Sequence, residues 1–349
     1  MLEYIGSTWP DHWQHTPDEK HMLESIKQQI ERYFPEGRNL LINTTWFGPQ
    51  FNNGLWEQYL SKVNRKTSYA RLFYVAAADP LMISKQQIEE MVQALGVKEV
   101  YGLGNVEGPG YFSFTCMVIP KYFASYTIDE LLMKSPKHLY INYNRKPRTH
   151  RVDLVNKILD EKLDSYGVIT MGKDLDGIFC QSDRPAPFLT LGETPDDYAK
   201  EGHWDMGDAH GIPHNIHSLG NMDIWRNHFL NIVSEAEFNP WDHLVVSEKT
   251  WKPIIGLRPF ILNGQTKTYK YLRDNGFYTF NDYFPVELEN IPEHQVHDSI
   301  IQVIKYLTTL TAQQLTAMYN DMLPKLMHNK KQFYKFSEHQ YFLVDHLFE

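Results

Sequence analysis

Residues 245–264 read VVSEKTWKPIIGLRPFILNG, and the fold turns on how this stretch is parsed. The apolar run Leu244, Val245, Val246 and the run Pro259, Phe260, Ile261, Leu262 have the continuous hydrophobicity of parallel strands covered by helices on both faces. Between them stands the polar group Ser247, Glu248, Lys249, Thr250, followed by Trp251, Lys252 and Pro253. Proline is tolerated in the first turn of a helix and costs about 3 kcal/mol in its interior. A helix beginning near Thr250 is therefore expected. Ser247, Glu248 and Lys249 then lie in the turn between a strand and a helix, at the carboxyl edge of the sheet, where open α/β folds bind ligands.

The surrounding sequence repeats the pattern. In the first half, residues 39–46, 71–80, 97–105 and 112–120 read as strands, and SKQQIEEMVQAL (84–95) reads as an amphipathic helix capped by Ser84. A second series follows: strand 138–144, helix 149–163, strand 167–172, then strands at 228–235, 244–248, 258–264 and 276–280, with a mostly helical end. Alternating strands and helices predict an α/β protein with mainly parallel sheets. The expected architecture is two Rossmann-like domains facing a cleft, with helices at the C-terminal end: residues 1–130, residues 131–325, and a terminal helix at 326–349 that packs back on the first domain.

Bulk properties bound the function. A chain of 349 residues with 42% hydrophobic and 22% charged residues is globular and of two-domain size. Two cysteines, Cys116 and Cys180, exclude a disulfide framework. The start MLEYIGSTWPDHW lacks the basic and apolar regions of a signal peptide, and no stretch is apolar for the length of a membrane span. A cytoplasmic location and no membrane partner are expected. The net charge of −9 weighs against a general nucleic-acid binder. Yet residues 131–152 and 249–273 each hold six Lys or Arg and no acid, so anion binding at defined places is expected. A third acid-free stretch, 322–337, reads as ordinary surface lysines.

Two constellations carry the candidate chemistry. In the opening stretch, Glu248 can accept both hydroxyls of a ribose, as acidic residues do in other nucleotide sites, while Lys249 and the helix start suit a diphosphate. The competing reading is a solvated ion pair at a helix start. The second constellation, INYNRKPRTHR (141–151), also follows a strand and opens a helix, and presents Arg145, Arg148 and Arg151. Guanidinium groups bind phosphate oxygens bidentately, so this loop reads as a phosphate clamp. His203, His210, His214 and His217, with Asp205 and Asp208, lack helical metal-binding spacing because Gly211 and Pro213 interrupt it. They read as a loop that closes over substrate rather than as a metal cage. For a general base, Asp79 at the end of a first-domain strand is the candidate, ahead of Asp11 and Glu57.

The pair SEKTWKPIIGLRPFI and NYNRKPRTHR resembles the GT-B-type glycosyltransferases. It is similar in style to a phage-encoded group, and more distantly to fucosyltransferases in which an EK pair precedes a small-residue segment. The resemblance covers about residues 137–285. It implies a nucleotide-sugar donor held by the second domain, with Glu248 on the ribose and Lys249 and the Arg145 loop on the diphosphate. It implies no cofactor and no metal requirement, and direct displacement with inversion. Similar phage enzymes glycosylate hydroxymethylated cytosine in DNA, which makes such DNA one expected acceptor. A glycan or small-molecule acceptor, or a non-catalytic binding module on the same fold, is left open by the sequence, as is the oligomeric state.

Overall fold

The structure, a computed structural model, describes residues 2–5, 27–28, 30–32, 34–43, 68–76, 92–104, 123–174, 180–191, 218–236, 238, 244 and 246–346. The chain divides into two compact units. The first comprises Met1–Val118, Asp242–Leu244 and Ser337–Glu349; the second comprises Ile119–Trp241 and Val245–Phe336. Each carries one four-stranded parallel sheet. The whole is a mixed α/β fold of a generic Rossmann-like kind.

In the first unit, β1 (Leu2–Ile5), β2 (Asn39–Asn43), β3 (Arg71–Ala76) and β4 (Glu99–Gly104) pair in sequential order. Consecutive residues Leu40 and Leu41 on β2, and Leu72 and Phe73 on β3, are fully buried, so both faces of these strands are covered. Arg71 and Glu99 face each other across β3 and β4 and form an ion pair of 2.8 Å. Strand β1 is four residues long, too short for its pattern to announce it. The expected strand 112–120 lies outside the described residues, as does most of the expected helix 84–95, of which residues 92–95 are helical.

The second unit opens with α1 (Ile128–Leu131), closed by a capping box between Thr127 and Glu130. Then follow β5 (His138–Asn144), α2 (Thr149–Asp160), β6 (Gly167–Met171), α3 (Met222–Arg226), β7 (His228–Ser234), α4 (Glu248–Ile255), β8 (Phe260–Asn263), α5 (Lys267–Asp274), α6 (Val296–Thr308) and α7 (Ala312–His346). The strand order is β6-β5-β7-β8. The chain builds outward from β5 to β6, then crosses to the other side of β5 and continues to β8. The order thus reverses between β5 and β7, and that point defines the crevice where such sheets take ligands. Every residue of β7 and β8 is buried. Helix α6 packs on α2, β5 and β8, and α4 packs on β7 and β8. Gly167 stands opposite Tyr140 in the β5–β6 register, and a Cβ there would meet the tyrosine ring at 2.4 Å. The tyrosine ring lies over the glycine, and its hydroxyl donates to the Leu163 carbonyl at 3.1 Å.

Three expectations are corrected. Of the expected strand 244–248, the described residues 244 and 246–248 are not a strand: β8 takes the place beside β7, and Val246 and Ser247 lead instead into α4, which starts at Glu248 rather than near Thr250. Pro253 consequently lies in the second turn of the helix, buried. Residues 276–280 are also not a strand. Their backbone is satisfied by side chains of α7: Asn329 makes two bonds of 2.8 Å to the N–H and C=O of Tyr278, and His328 reaches the Gly276 carbonyl at 2.9 Å. With its polar groups held this way, the segment has no need of a ladder.

The end of α4 departs from the usual glycine rule. Leu257 takes the left-handed conformation (φ 54°), and the Arg258 N–H reaches back to the Pro253 carbonyl at 2.9 Å, closing a Schellman-type turn. The glycine stands one residue earlier. At Gly256 φ is −81°, so its freedom is spent on space: a Cβ would lie 2.3 Å from the Trp225 ring. Arg258, fully buried, then donates to the carbonyls of Leu131 (2.7 Å), Leu257 (2.8 Å) and Trp225 (2.7 Å) and lies 3.3 Å from the Tyr319 hydroxyl.

Candidate functional site

The carboxyl edge of the second sheet gathers the ends of β5, β7 and β8 and the starts of α2 and α4. Ser247 is the N-cap of α4; its hydroxyl accepts from the Lys249 N–H at 3.4 Å, and its own backbone is extended. A residue that sequence reasoning passed over organises this corner. Glu235, directly after β7, is 1% exposed. One carboxylate oxygen accepts from the Ser247 N–H (3.0 Å) and the Thr250 hydroxyl (2.5 Å), and the other from the Ser247 hydroxyl (2.5 Å) and the Ala236 N–H (3.0 Å). A carboxylate at a helix start also complements the helix dipole. Thr250, fully buried, therefore directs its hydroxyl inward to Glu235.

The arginine loop meets the same strand end from the other side. The Arg151 guanidinium, 4% exposed, donates to the Glu235 carbonyl at 2.7 Å and to the Lys146 carbonyl at 3.1 Å. Arg148, the N-cap of α2, donates to the Ala236 carbonyl. His150 Nε2 donates to the Glu235 carbonyl at 3.0 Å. Burial, with Arg151 adding to it, holds the His150 imidazole well below its ordinary range and so neutral. Two of the three expected phosphate ligands thus bind backbone carbonyls of the chain itself. Arg145 and Lys146 stay half-buried at the edge.

Beneath this edge runs a polar network across three strands. Asn144 Nδ2 donates to Asn142 Oδ1 (2.5 Å), Asn142 Nδ2 to Ser234 Oγ (3.0 Å), and Asn263 Nδ2 to Ser234 Oγ (3.1 Å). His297 of α6 donates to Asn263 Oδ1 at 3.0 Å, and burial lowers its pKa to about 4. Phe238 lies between the two imidazoles, with centroids 5.3 Å from His150 and 5.2 Å from His297. Buried polar groups joined in this way fix side-chain positions tightly.

Lys249 Nζ pairs with Glu248 Oε1 at 2.6 Å, their side chains being 30% and 11% exposed. One turn on, Lys252 has its pKa lowered to about 8, chiefly by burial, against the opposing pull of Glu248. A carboxylate paired with an ammonium group can exchange it for hydroxyl donors of a ligand, freeing the ammonium for a ligand anion.

Of the expected site residues, Arg145, Arg148, Arg151, Ser247, Glu248, Lys249 and Thr250 converge on one sheet edge. Arg148, Arg151, Ser247 and Thr250 are engaged in holding that edge together. Asp79, Asp11, Glu57 and the histidine loop 203–217 lie outside the described residues. Among the described residues no group of three or more His, Cys, Asp or Glu is placed to hold a metal ion, and no helix is long and apolar enough to cross a membrane. A surface hollow of about 460 Å³ lies elsewhere, between Lys134–Pro136 and the start of α7. In the sequence Glu235 is visible only as an acid directly after the strand HFLNIVS. The chain matches no protein-family model, no characterised protein and no solved structure among those compared.

Proposed function

We propose that this protein is a nucleotide-sugar-dependent glycosyltransferase whose second unit holds the donor at the carboxyl edge of its sheet. The observation that carries the reading is Glu248: a mostly buried carboxylate, paired with Lys249, at the start of α4 and beside the point where the strand order reverses. Such a carboxylate suits ribose hydroxyls. Lys249, Arg145 and Lys146 supply the positive charge that a leaving diphosphate requires. In this reading the acceptor hydroxyl gives up its proton to a carboxylate base, for which Asp79 is the sequence candidate, and displaces the diphosphate in line with inversion. Hydroxymethylated cytosine in DNA, a glycan and a small molecule are the acceptors to compare.

The test is calorimetric titration with UDP, GDP, dTDP, ADP and CMP on the wild type and on Glu248→Ala. One nucleoside diphosphate is expected to bind selectively, and the substitution to weaken it about tenfold or more, the value of one or two charge-assisted hydrogen bonds. No binding by any nucleotide, or equal binding by both proteins, overturns the reading. Binding without turnover on any acceptor identifies a non-catalytic module.

A further inference from the structure

We infer that Glu235 is a positioning residue for this site: a strut that sets the two ligand-facing segments, the β5–α2 loop and the start of α4, at a fixed spacing. The inference rests on the functional reading above. It begins from the geometry of one residue. The Glu235 side chain takes hydrogen bonds from Ser247 N, Ser247 Oγ and Thr250 Oγ1 on the α4 side, with Ala236 N completing its four. Its backbone carbonyl takes His150 Nε2 at 3.0 Å and Arg151 at 2.7 Å on the α2 side. Glu235 thus receives bonds from both segments. The two anchors are separated by only the length of one residue, and both are buried.

The chemistry of the strut is specific to a carboxylate. Each oxygen accepts one backbone N–H and one hydroxyl. The hydroxyls of Ser247 and Thr250 can rotate to suit a different partner, but the two N–H groups cannot. Glutamine therefore sets its NH₂ against either Ser247 N–H or Ala236 N–H, whichever way it turns. The start of α4 then shifts or frays, and Glu248 and Lys249, its first two residues, move relative to Arg145 and Lys146. Because the strut also places an anion at the α4 start, a donor diphosphate is steered toward the β5–α2 loop and Lys249.

The experiment uses the full chain as wild type, Glu235→Gln, Thr250→Val and Thr250→Ser. Two quantities are read: hydrogen–deuterium exchange of residues 246–252 without ligand, and the Kd of the nucleoside diphosphate that the wild type binds best. In Glu235→Gln, exchange at 246–252 is expected to rise about tenfold while 296–308 in α6 is unchanged, with Kd weakened about tenfold, the worth of roughly one buried hydrogen bond lost. Thr250→Val shows the same pattern at smaller size. Thr250→Ser, which keeps the hydroxyl, returns both readings to wild type. Unchanged exchange in the variants overturns the strut. Raised exchange with an unchanged Kd overturns the positioning role alone and leaves the donor site standing. A wild type that binds no nucleoside diphosphate overturns the functional reading itself, and the positioning role with it.

Discussion

Gly256→Ala is the substitution whose outcome the structure fixes most sharply. Alanine adopts a φ of −81° and ψ of 11° without strain, so on backbone grounds the change stabilises by about 0.4–1 kcal/mol through the unfolded state. Space decides the other way. The new Cβ lies 2.3 Å and 2.8 Å from two atoms of the Trp225 ring and 2.9 Å from the Lys252 carbonyl oxygen, against an ordinary separation of about 3.5–4.0 Å. The indole has little room to yield: it is 2% exposed, its Nε1 donates to the Gly256 carbonyl at 3.0 Å, and its carbonyl is held by Arg258 at 2.7 Å. Overpacking costs about 1–3 kcal/mol, and a strained or broken indole hydrogen bond adds about 1 kcal/mol. A net loss of about 2–3 kcal/mol is expected, or roughly 5–10 °C in the melting transition of a unit this size. Differential scanning calorimetry measures it. Trp225→Leu supplies the control, since it removes the ring atoms that collide and should make Gly256→Ala nearly neutral in that background. An alanine that is neutral in the wild type, or equally costly in both backgrounds, refutes the steric account.

Two predictions concern pH. The folded-state pKa of His297 lies at about 4, below the 6.5 of an unperturbed histidine, so the unfolded chain takes up this proton first. Its contribution to stability is complete above about pH 6.5 and is lost as pH falls toward 4, by up to about 1.4 kcal/mol per pH unit; His297→Gln should flatten this part of the stability curve in urea titrations run from pH 7 to 4. Lys330, lowered to about 8 by burial alone, reaches the Ile255 carbonyl at 3.3 Å. Its buried ammonium weakens the fold below pH 8, and the penalty disappears above pH 10.5, so Lys330→Met should stabilise at pH 7 by on the order of 1 kcal/mol and by nothing at pH 11. Equal effects at the two pH values would show that packing, not charge, decides.

The parallel sheet of the second unit was legible because β7 and β8 are buried on both faces and so are rich in consecutive apolar residues (Phe229–Leu230, Ile232–Val233, Phe260–Leu262). The Arg145 loop was legible as part of the sheet edge because it follows β5 and opens α2, whereas Glu248 reaches the same edge through the cap of α4 rather than through a strand before it. Reading an apolar run as a strand failed at Leu244 and Val246 and at Gly276–Phe280. An apolar run states that residues are buried, not what satisfies their backbone: a capped helix start in one case, the Asn329 amide in the other. The rule that placed the helix start by Pro253 also failed, because Ser247 and Glu235 fix that start two residues earlier, at Glu248. Glu235 and the asparagine network escaped for a further reason. Their partners, Ser247, His150 and Asn263, come from segments far apart in the chain, and no local pattern announces such a meeting.

The buried guanidinium of Arg258 has a consequence for how the chain is made. Its acceptors belong to residues 131, 225, 257 and 319, which span most of the second unit. On a ribosome, three of these positions emerge well before the fourth. Until Tyr319 and the rest of α7 leave the exit tunnel, the cation has an incomplete set of partners, and burying it is unfavourable. The second unit is therefore expected to hold off its final collapse until synthesis is nearly finished. Chains released before residue 319 should be captured by chaperones and degraded.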